Sequence, residues 1–167
     1  MQHFLNKKIF KKCINIKINW LMYSDNDLLY YKNITLNKRF NIPIYDDPRN
    51  IFIKSTVRGK LKTNYWKNIN NPHSSPNRYI ACSSSGKIVG SKDVLVNPPD
   101  HKLAMLNHYA TKTIEEYCLK IKRGRSDVKL VLNKETLITK FNYFFLRNIK
   151  TKEKLLYFNK MFNVTFH

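Results

Sequence analysis

Polar and basic side chains that could bind a ligand are concentrated between residues 107 and 125. Asn107, His108 and Tyr109 follow a short apolar run of strand length and precede a helical pattern. Side chains at such a junction lie at the edge of a sheet, where they can face a ligand instead of a core. The pattern therefore predicts a binding edge that ends at Tyr109.

Three cations flank the helix that follows. Lys112 precedes it, and Arg123 and Arg125 lie at its end. These side chains could meet a diphosphate or a phosphorylated lipid. The alternative is a solvated helix end whose basic residues complement the helix dipole.

The helix itself has clear start and stop signals. Thr113 followed three residues later by Glu116 is a capping box, and Gly124 is suited to the C-cap. The apolar residues between them recur at helical spacing and form one stripe: Ile114, Tyr117, Cys118 and Ile121. We predict a helix over residues 113–123.

The remaining pattern is typical of an α/β fold with strands first and helices last. Ile14, Ile16, Ile18 and Trp20 alternate with polar residues, which is a strong strand signal. We predict strands at 14–22, 51–57, 78–89 and 103–108 in a mixed sheet with flanking helices. From residue 133 the pattern is helical, and we predict one domain over 1–130 with a helical extension over 131–167 that packs on it.

Several motifs occur in the order found in one enzyme group. The order is Ile18-Asn19-Trp20 with Tyr23-Ser24-Asp25-Asn26, then Lys38-Arg39-Phe40, Ile53-Lys54-Ser55-Thr56-Val57-Arg58, Asn71-Pro72-His73, and finally Asn107-His108-Tyr109 with Lys112-Thr113-Ile114-Glu115-Glu116-Tyr117 and Lys122-Arg123-Gly124. Over residues 4–124 this chain resembles the C-terminal part of GT-A glycosyltransferases of the family-2-like and family-92-like group.

The resemblance implies a partial GT-A-like mixed sheet and transfer of a sugar from a nucleotide sugar to a glycan or lipid-linked acceptor. It also implies two sets of site residues. The expected metal ligands are His73 and His108. The expected substrate-binding residues are Trp20, Tyr23, Asn107, Tyr109, Lys112, Arg123 and Arg125.

One part of the family pattern has no counterpart. Such enzymes begin with a nucleotide-binding half whose Asp-x-Asp motif holds a divalent metal and the sugar diphosphate. Asp25-Asn26-Asp27 has the right letters but follows the tryptophan strand, and we interpret it as a turn. We therefore expect a missing half, supplied by a separate chain if at all. Mn²⁺ or Mg²⁺ is expected only in the complete enzyme, and the isolated chain is expected to be inactive.

The charge of the chain suggests an alternative function. Lys and Arg number 31 against 11 Asp and Glu, a formal net charge of +20. A non-enzymatic basic module could bind an anionic glycan, an anionic membrane surface or nucleic acid. We do not expect nucleic acid, because the basic residues are scattered and no nucleic-acid motif accompanies them. Self-association is a further expectation for an incomplete domain.

Three cysteines, Cys13, Cys82 and Cys118, form no Cys-x-x-Cys pair. We interpret them as small buried thiols in a reducing compartment. No apolar run reaches membrane-spanning length, and lysines interrupt the N-terminal apolar residues. We therefore expect a cytoplasmic protein, either free or peripheral to a membrane.

Overall fold

A computed structural model describes residues 2–59, 79–124, 132–146 and 148–167 of the chain. The chain divides into two compact units, and each is described here by itself. The first unit contains residues 1–22 and 45–108, and the second contains 23–44 and 109–167. The boundary that we predicted after residue 130 falls outside the described residues.

All the described strands precede the three longest described helices along the chain. The strands are β1 Asn15–Tyr23, β2 Pro43–Ile44, β3 Ile53–Val57, β4 Ala81–Cys82, β5 Ile88–Val89 and β6 Leu106–His108. The α-helices are α1 Gln2–Leu5, α2 Leu36–Arg39, α3 Ile114–Arg123, α4 Lys134–Phe145 and α5 Lys152–Phe162. Short 3₁₀ helices occupy Lys8–Phe10 and Pro48–Ile51.

Strand β1 organises the sheet of the first unit. It pairs with β3 in antiparallel orientation. It pairs with β4 and with β6 in parallel orientation, and β5 is antiparallel to β4. This arrangement confirms the predicted α/β fold with a mixed sheet.

The polar side chains of β1 are buried, although its alternation suggested that only the apolar ones would be. Asn15, Lys17 and Asn19 are each 0% exposed. Lys17 Nζ donates to the carbonyl oxygens of Gly90 at 2.6 Å and Ser91 at 3.1 Å, as well as to that of Asp93. Burial lowers the pKa of Lys17, and the nearby Asp93 opposes this effect. A buried ammonium needs such acceptors, so Lys17 fixes the irregular segment that covers this face.

Asn19 does the same for neighbouring segments. Its Nδ2 donates to the carbonyl oxygens of Asn50 at 3.0 Å, Ile51 at 3.1 Å and Val96 at 3.0 Å. Its Oδ1 accepts from the backbone N–H of Asp100 at 3.0 Å. One amide therefore satisfies backbone groups from segments that lie outside the main strands.

Our interpretation of Cys13 and Cys82 as free thiols was wrong, because the two residues form a disulfide across 69 positions of sequence. Cys13 immediately precedes β1, and the parallel pairing aligns Ile16 with Cys82. The sheet topology thus brings together two cysteines that sequence spacing could not pair. The disulfide lies in a small core with Phe10 and Ile16.

The core of the second unit is helical. The apolar stripe predicted for α3 is buried and packs with side chains of α4 and α5. The buried residues of this shared core are Ile114, Tyr117, Cys118, Ile121, Leu137, Phe141, Phe144 and Phe158. Burial raises the pKa of Cys118 to about 12, and Lys122 opposes this effect. Cys118 is therefore a buried thiol, as predicted. Among the described residues, no helix is both long enough and apolar enough to cross a bilayer.

Candidate functional site

The first turn of α3 fixes the position of several predicted site residues. Thr113 Oγ1 accepts from the backbone N–H of Glu116 at 3.1 Å, and Glu116 Oε2 accepts from the backbone N–H of Thr113 at 3.5 Å. The capping box predicted from sequence is confirmed. Gly124 caps the other end with φ of 72°, a backbone angle that favours glycine.

A cavity of about 400 Å³ lies beside this helix within the second unit. It contains three residues that we predicted from sequence: Tyr109, Lys112 and Arg123. Its other lining residues are Ala110, Thr111, Glu116, Leu119 and Lys120. We call this cavity the Lys112 pocket. The structure thus gathers a phenol and three cationic side chains around one concave surface.

The backbone holds two of these cations in defined places. Lys112 has φ of 60°, a left-handed conformation that is uncommon for a residue with a side chain. Lys120 Nζ donates to the carbonyl oxygen of Ala110 at 2.9 Å, which fixes its ammonium against the segment that enters the helix. Local backbone strain of this kind is concentrated at binding sites, which motivates a functional hypothesis for Lys112.

Glu116 is the acidic residue of the Lys112 pocket, but its charge is already compensated. Arg39 donates to both carboxylate oxygens, at 2.8 and 3.2 Å, and Lys112 Nζ lies 3.7 Å from Oε1. Burial alone would raise the pKa of Glu116, but the hydrogen bonds from Arg39 and Thr113 outweigh it and lower the pKa. The carboxylate stays ionised and paired, so it leaves the pocket with a positive balance.

Aromatic rings border the same region of the second unit. The ring centroid of Tyr109 lies 5.1 Å from that of Tyr23 and 5.9 Å from that of Phe40. Tyr23 and Tyr109 were both predicted to bind substrate, and the structure brings them into contact. Tyrosine rings of this kind can pack against a sugar while their hydroxyl groups make hydrogen bonds.

The other predicted residues that the structure describes lie in the first unit. His108 is stacked on Trp20, with ring centroids 3.9 Å apart and planes inclined by 15°. Lys54 Nζ lies 5.9 Å from the centroid of the Trp20 ring. Asn107 is exposed on β6, where it is paired with Leu21. The predicted residues Trp20, Asn107 and His108 thus belong to the first unit, whereas the residues of the Lys112 pocket belong to the second.

Two predicted site residues, His73 and Arg125, lie outside the described residues. The metal-binding role of His73 and the substrate-binding role of Arg125 therefore remain predictions. His101, which was not among the predicted site residues, has its Nε2 atom 2.7 Å from the carbonyl oxygen of Trp20.

The Asp25-Asn26-Asp27 segment is the turn that we predicted. Asn26 and Asp27 have φ of 50° and 59°, and the Asp27 backbone N–H donates to Asp25 Oδ1 at 3.0 Å. Sequence reasoning missed the partner of both carboxylates. Lys154 Nζ lies 2.7 Å from Asp25 Oδ2 and 2.6 Å from Asp27 Oδ1.

These pairings bear on whether the divalent metal that the family resemblance implies could bind here. Within residues 2–59, 79–124, 132–146 and 148–167, no group of three His, Cys, Asp or Glu side chains is placed to hold a metal ion. Asp25 and Asp27 are already paired with the Lys154 ammonium, and the His108 imidazole is stacked on an indole. The described residues therefore do not fit a metal site by themselves.

Sequence reasoning also missed Lys120 as a lining residue of the pocket and Arg39 as the partner of Glu116. Glu116, Lys120 and Arg123 are spaced at i, i+4 and i+7, so they share one face of α3, and this spacing could have revealed Lys120. Arg39 lies far from α3 in the sequence, and no local pattern pairs it with Glu116. Comparisons with protein-family models, with curated proteins and with solved structures found no match to this chain.

Proposed function

We propose that this chain is the acceptor-side, C-terminal portion of a glycosyltransferase that moves a sugar from a nucleotide sugar to a glycan or lipid-linked acceptor. In this proposal the Lys112 pocket receives a phosphate or diphosphate group of a substrate. The observation that carries the proposal is the gathering of Tyr109, Lys112 and Arg123 around one cavity of about 400 Å³.

The chemistry of the pocket supports an anionic ligand. Its cations lie close together, which is unfavourable without a counter-charge, and Glu116 is already shared with Arg39. A diphosphate would offer several acceptor oxygens to the donors of Lys112, Lys120 and Arg123. The bordering rings of Tyr23 and Tyr109 would then pack against an attached sugar.

We do not propose that the described residues catalyse sugar transfer by themselves. Among the described residues, no group of side chains is placed to hold a metal ion, and Asp25 and Asp27 are paired with Lys154. A complete enzyme would need carboxylates from another protein segment, and His73 and His108 would add ligands there. We therefore propose that the isolated chain binds phosphate groups without transferring sugar.

The disulfide bears on localisation. Stable disulfides belong to oxidising compartments, so the Cys13–Cys82 bond favours such a compartment over the cytoplasm that we predicted.

Titration with inorganic pyrophosphate and with UDP, followed by NMR and calorimetry, tests the binding step. We expect chemical shift changes confined to residues 109–123 and a dissociation constant between about 0.1 and 1 mM. The double variant Lys112→Gln with Arg123→Gln should weaken binding at least fivefold. Lys134→Gln with Lys152→Gln, two exposed lysines at the starts of other helices, is the charge-matched control.

Equal losses in both double variants would show that net charge, not the pocket, holds the ligand, and would refute the site. The enzyme class is tested separately. Adding a domain that carries an Asp-x-Asp motif should produce metal-dependent transfer, and His73→Ala should then lower transfer more than His3→Ala. Transfer by the chain alone would refute the incomplete-enzyme proposal while leaving the pocket untouched.

The alternative is a binding module without catalytic activity, and one observation favours it. The two carboxylates that resemble an Asp-x-Asp motif are both paired with Lys154, which suits a fold that binds anions without catalysing a reaction. Pyrophosphate binding without transfer in any reconstituted mixture would support this alternative.

A further inference from the structure

One face of the first unit's sheet carries a row of apolar side chains. Phe52 is bridged to Leu95, the backbone N–H of Trp20 donates to the carbonyl oxygen of Phe52 at 2.8 Å, and Trp20 is paired with Leu106. Side chains at paired positions lie on the same face of a sheet. The four residues, which we call the Trp20 face, therefore form a continuous row.

This row is partly open to solvent. Phe52 is 40% exposed, and Leu95 and Leu106 are each 38% exposed. Leu103 and Met105, in the segment that leads into β6, are 46% and 43% exposed. The residues that alternate with the row are covered: Asn19 is 0%, Ile53 1% and Val96 8% exposed. Next to these covered residues, the Trp20 face thus presents a partly exposed apolar row to solvent.

The charge around the Trp20 face indicates what covers it. The described residues of the first unit contain eleven Lys and Arg against four Asp and no Glu. Lys54 lies on the face itself, with its ammonium 5.9 Å from the centroid of the Trp20 ring. A second copy of this chain would bring an equally basic surface to the contact, which opposes pairing.

We propose that the Trp20 face docks on an anionic lipid bilayer. The hydrocarbon boundary would take the side chains of Phe52, Leu95 and Leu106, beside the Trp20 ring, which lies 5.2 Å from that of Phe52. The stem of Lys54 can lie along the apolar surface while its ammonium reaches a lipid phosphate. Apolar contact and basic charge are the two signals that together give stable interfacial binding.

Co-sedimentation with vesicles tests this docking. We expect the full chain to bind vesicles of phosphatidylcholine with about one third phosphatidylserine, and to bind pure phosphatidylcholine at least tenfold more weakly. Leu95→Ser with Leu106→Ser should lower binding to the mixed vesicles at least fivefold. The matched control is Ile149→Ser with Leu156→Ser, two leucine-sized side chains of the second unit that are 64% and 58% exposed.

A fluorescence measurement leaves the Trp20 face unsubstituted, so it remains decisive if the double variant misfolds. In a Trp66→Phe chain, Trp20 is the sole tryptophan. We expect its emission to shift to the blue on adding mixed vesicles and to be quenched by lipids brominated near the headgroup. No shift and no quenching would overturn the proposal.

Two other outcomes would also overturn it. If the control double variant loses as much binding as the Leu95 and Leu106 variant, the vesicles are held by scattered exposed apolar side chains and not by the Trp20 face. If sedimentation velocity shows a dimer that Leu95→Ser with Leu106→Ser dissociates, the face is occupied by a second copy of the chain.

Discussion

Lys154 and Asp25 form a buried ion pair in the second unit, with Nζ 2.7 Å from Oδ2 and with both side chains no more than 2% exposed. Burial raises the pKa of Asp25, and the hydrogen bond and charge of Lys154 oppose this effect. Lys154 also donates to the carbonyl oxygen of Ile149 at 3.0 Å. The pair therefore ties the turn after β1 to the start of α5.

Substituting Lys154 by Met should strongly destabilise the protein, because it leaves the buried Asp25 carboxylate without its partner. We expect a loss of about 3–5 kcal/mol in the free energy of unfolding, measured by urea denaturation at pH 7. Lys152→Met, in the exposed first turn of the same helix, should cost less than about 0.5 kcal/mol. If Asp25→Asn with Lys154→Met is as unstable as Lys154→Met alone, an unpaired charge is not the cause.

Glu116→Gln should remove a pH-dependent contribution to stability. The folded-state pKa of Glu116 is lowered, so its contribution is fully present above the unfolded pKa of about 4.3 and is lost as the pH falls through the folded value. We expect a deficit of about 1–3 kcal/mol at pH 7 that shrinks on acidification.

Denaturation of Glu116→Gln and wild type from pH 7 to pH 3 measures this difference, and Glu135→Gln, in the first turn of α4, is the control. The raised pKa of Asp25 acts in the opposite direction but is common to both chains, so it cancels in the comparison. A deficit that does not change with pH would contradict the assignment.

Asn19→Ala should lower the free energy of unfolding substantially, although it removes only a polar side chain. The substitution leaves the carbonyl oxygens of Asn50 and Val96 and the N–H of Asp100 without their partner in a buried region. We expect a loss of about 3 kcal/mol, since each such buried group costs about 1–3 kcal/mol. Asn107→Ala, on exposed β6, should change stability by less than about 0.5 kcal/mol in the same urea assay.

Reducing the Cys13–Cys82 bond should destabilise the chain by about 4 kcal/mol, because the bond closes a loop of 69 positions in the unfolded state. Thermal denaturation with and without a reductant measures the effect. The Cys13→Ser with Cys82→Ser variant should unfold at the lower temperature in both conditions. Alkylation of all three cysteines in the unfolded, unreduced protein would show that the bond does not form.

Features that depend on neighbours within a few residues could be predicted from the sequence. The capping box of Thr113 and Glu116 and the apolar stripe of α3 specify that helix locally. The alternation from Ile14 to Trp20 likewise predicted β1 to within one residue. Part of the candidate site could also be predicted from the sequence, because Tyr109 and Lys112 precede the helix and Arg123 ends it.

Features that join distant segments were decided by the tertiary structure. The Cys13–Cys82 bond needs the parallel pairing of β1 with β4, and the Arg39–Glu116 contact needs α2 packed near α3. The burial of Lys17 and Asn19 was also unpredictable, because their acceptors are backbone carbonyls of irregular segments. Periodicity identifies the two faces of a strand, but which face is covered depends on where the rest of the chain folds.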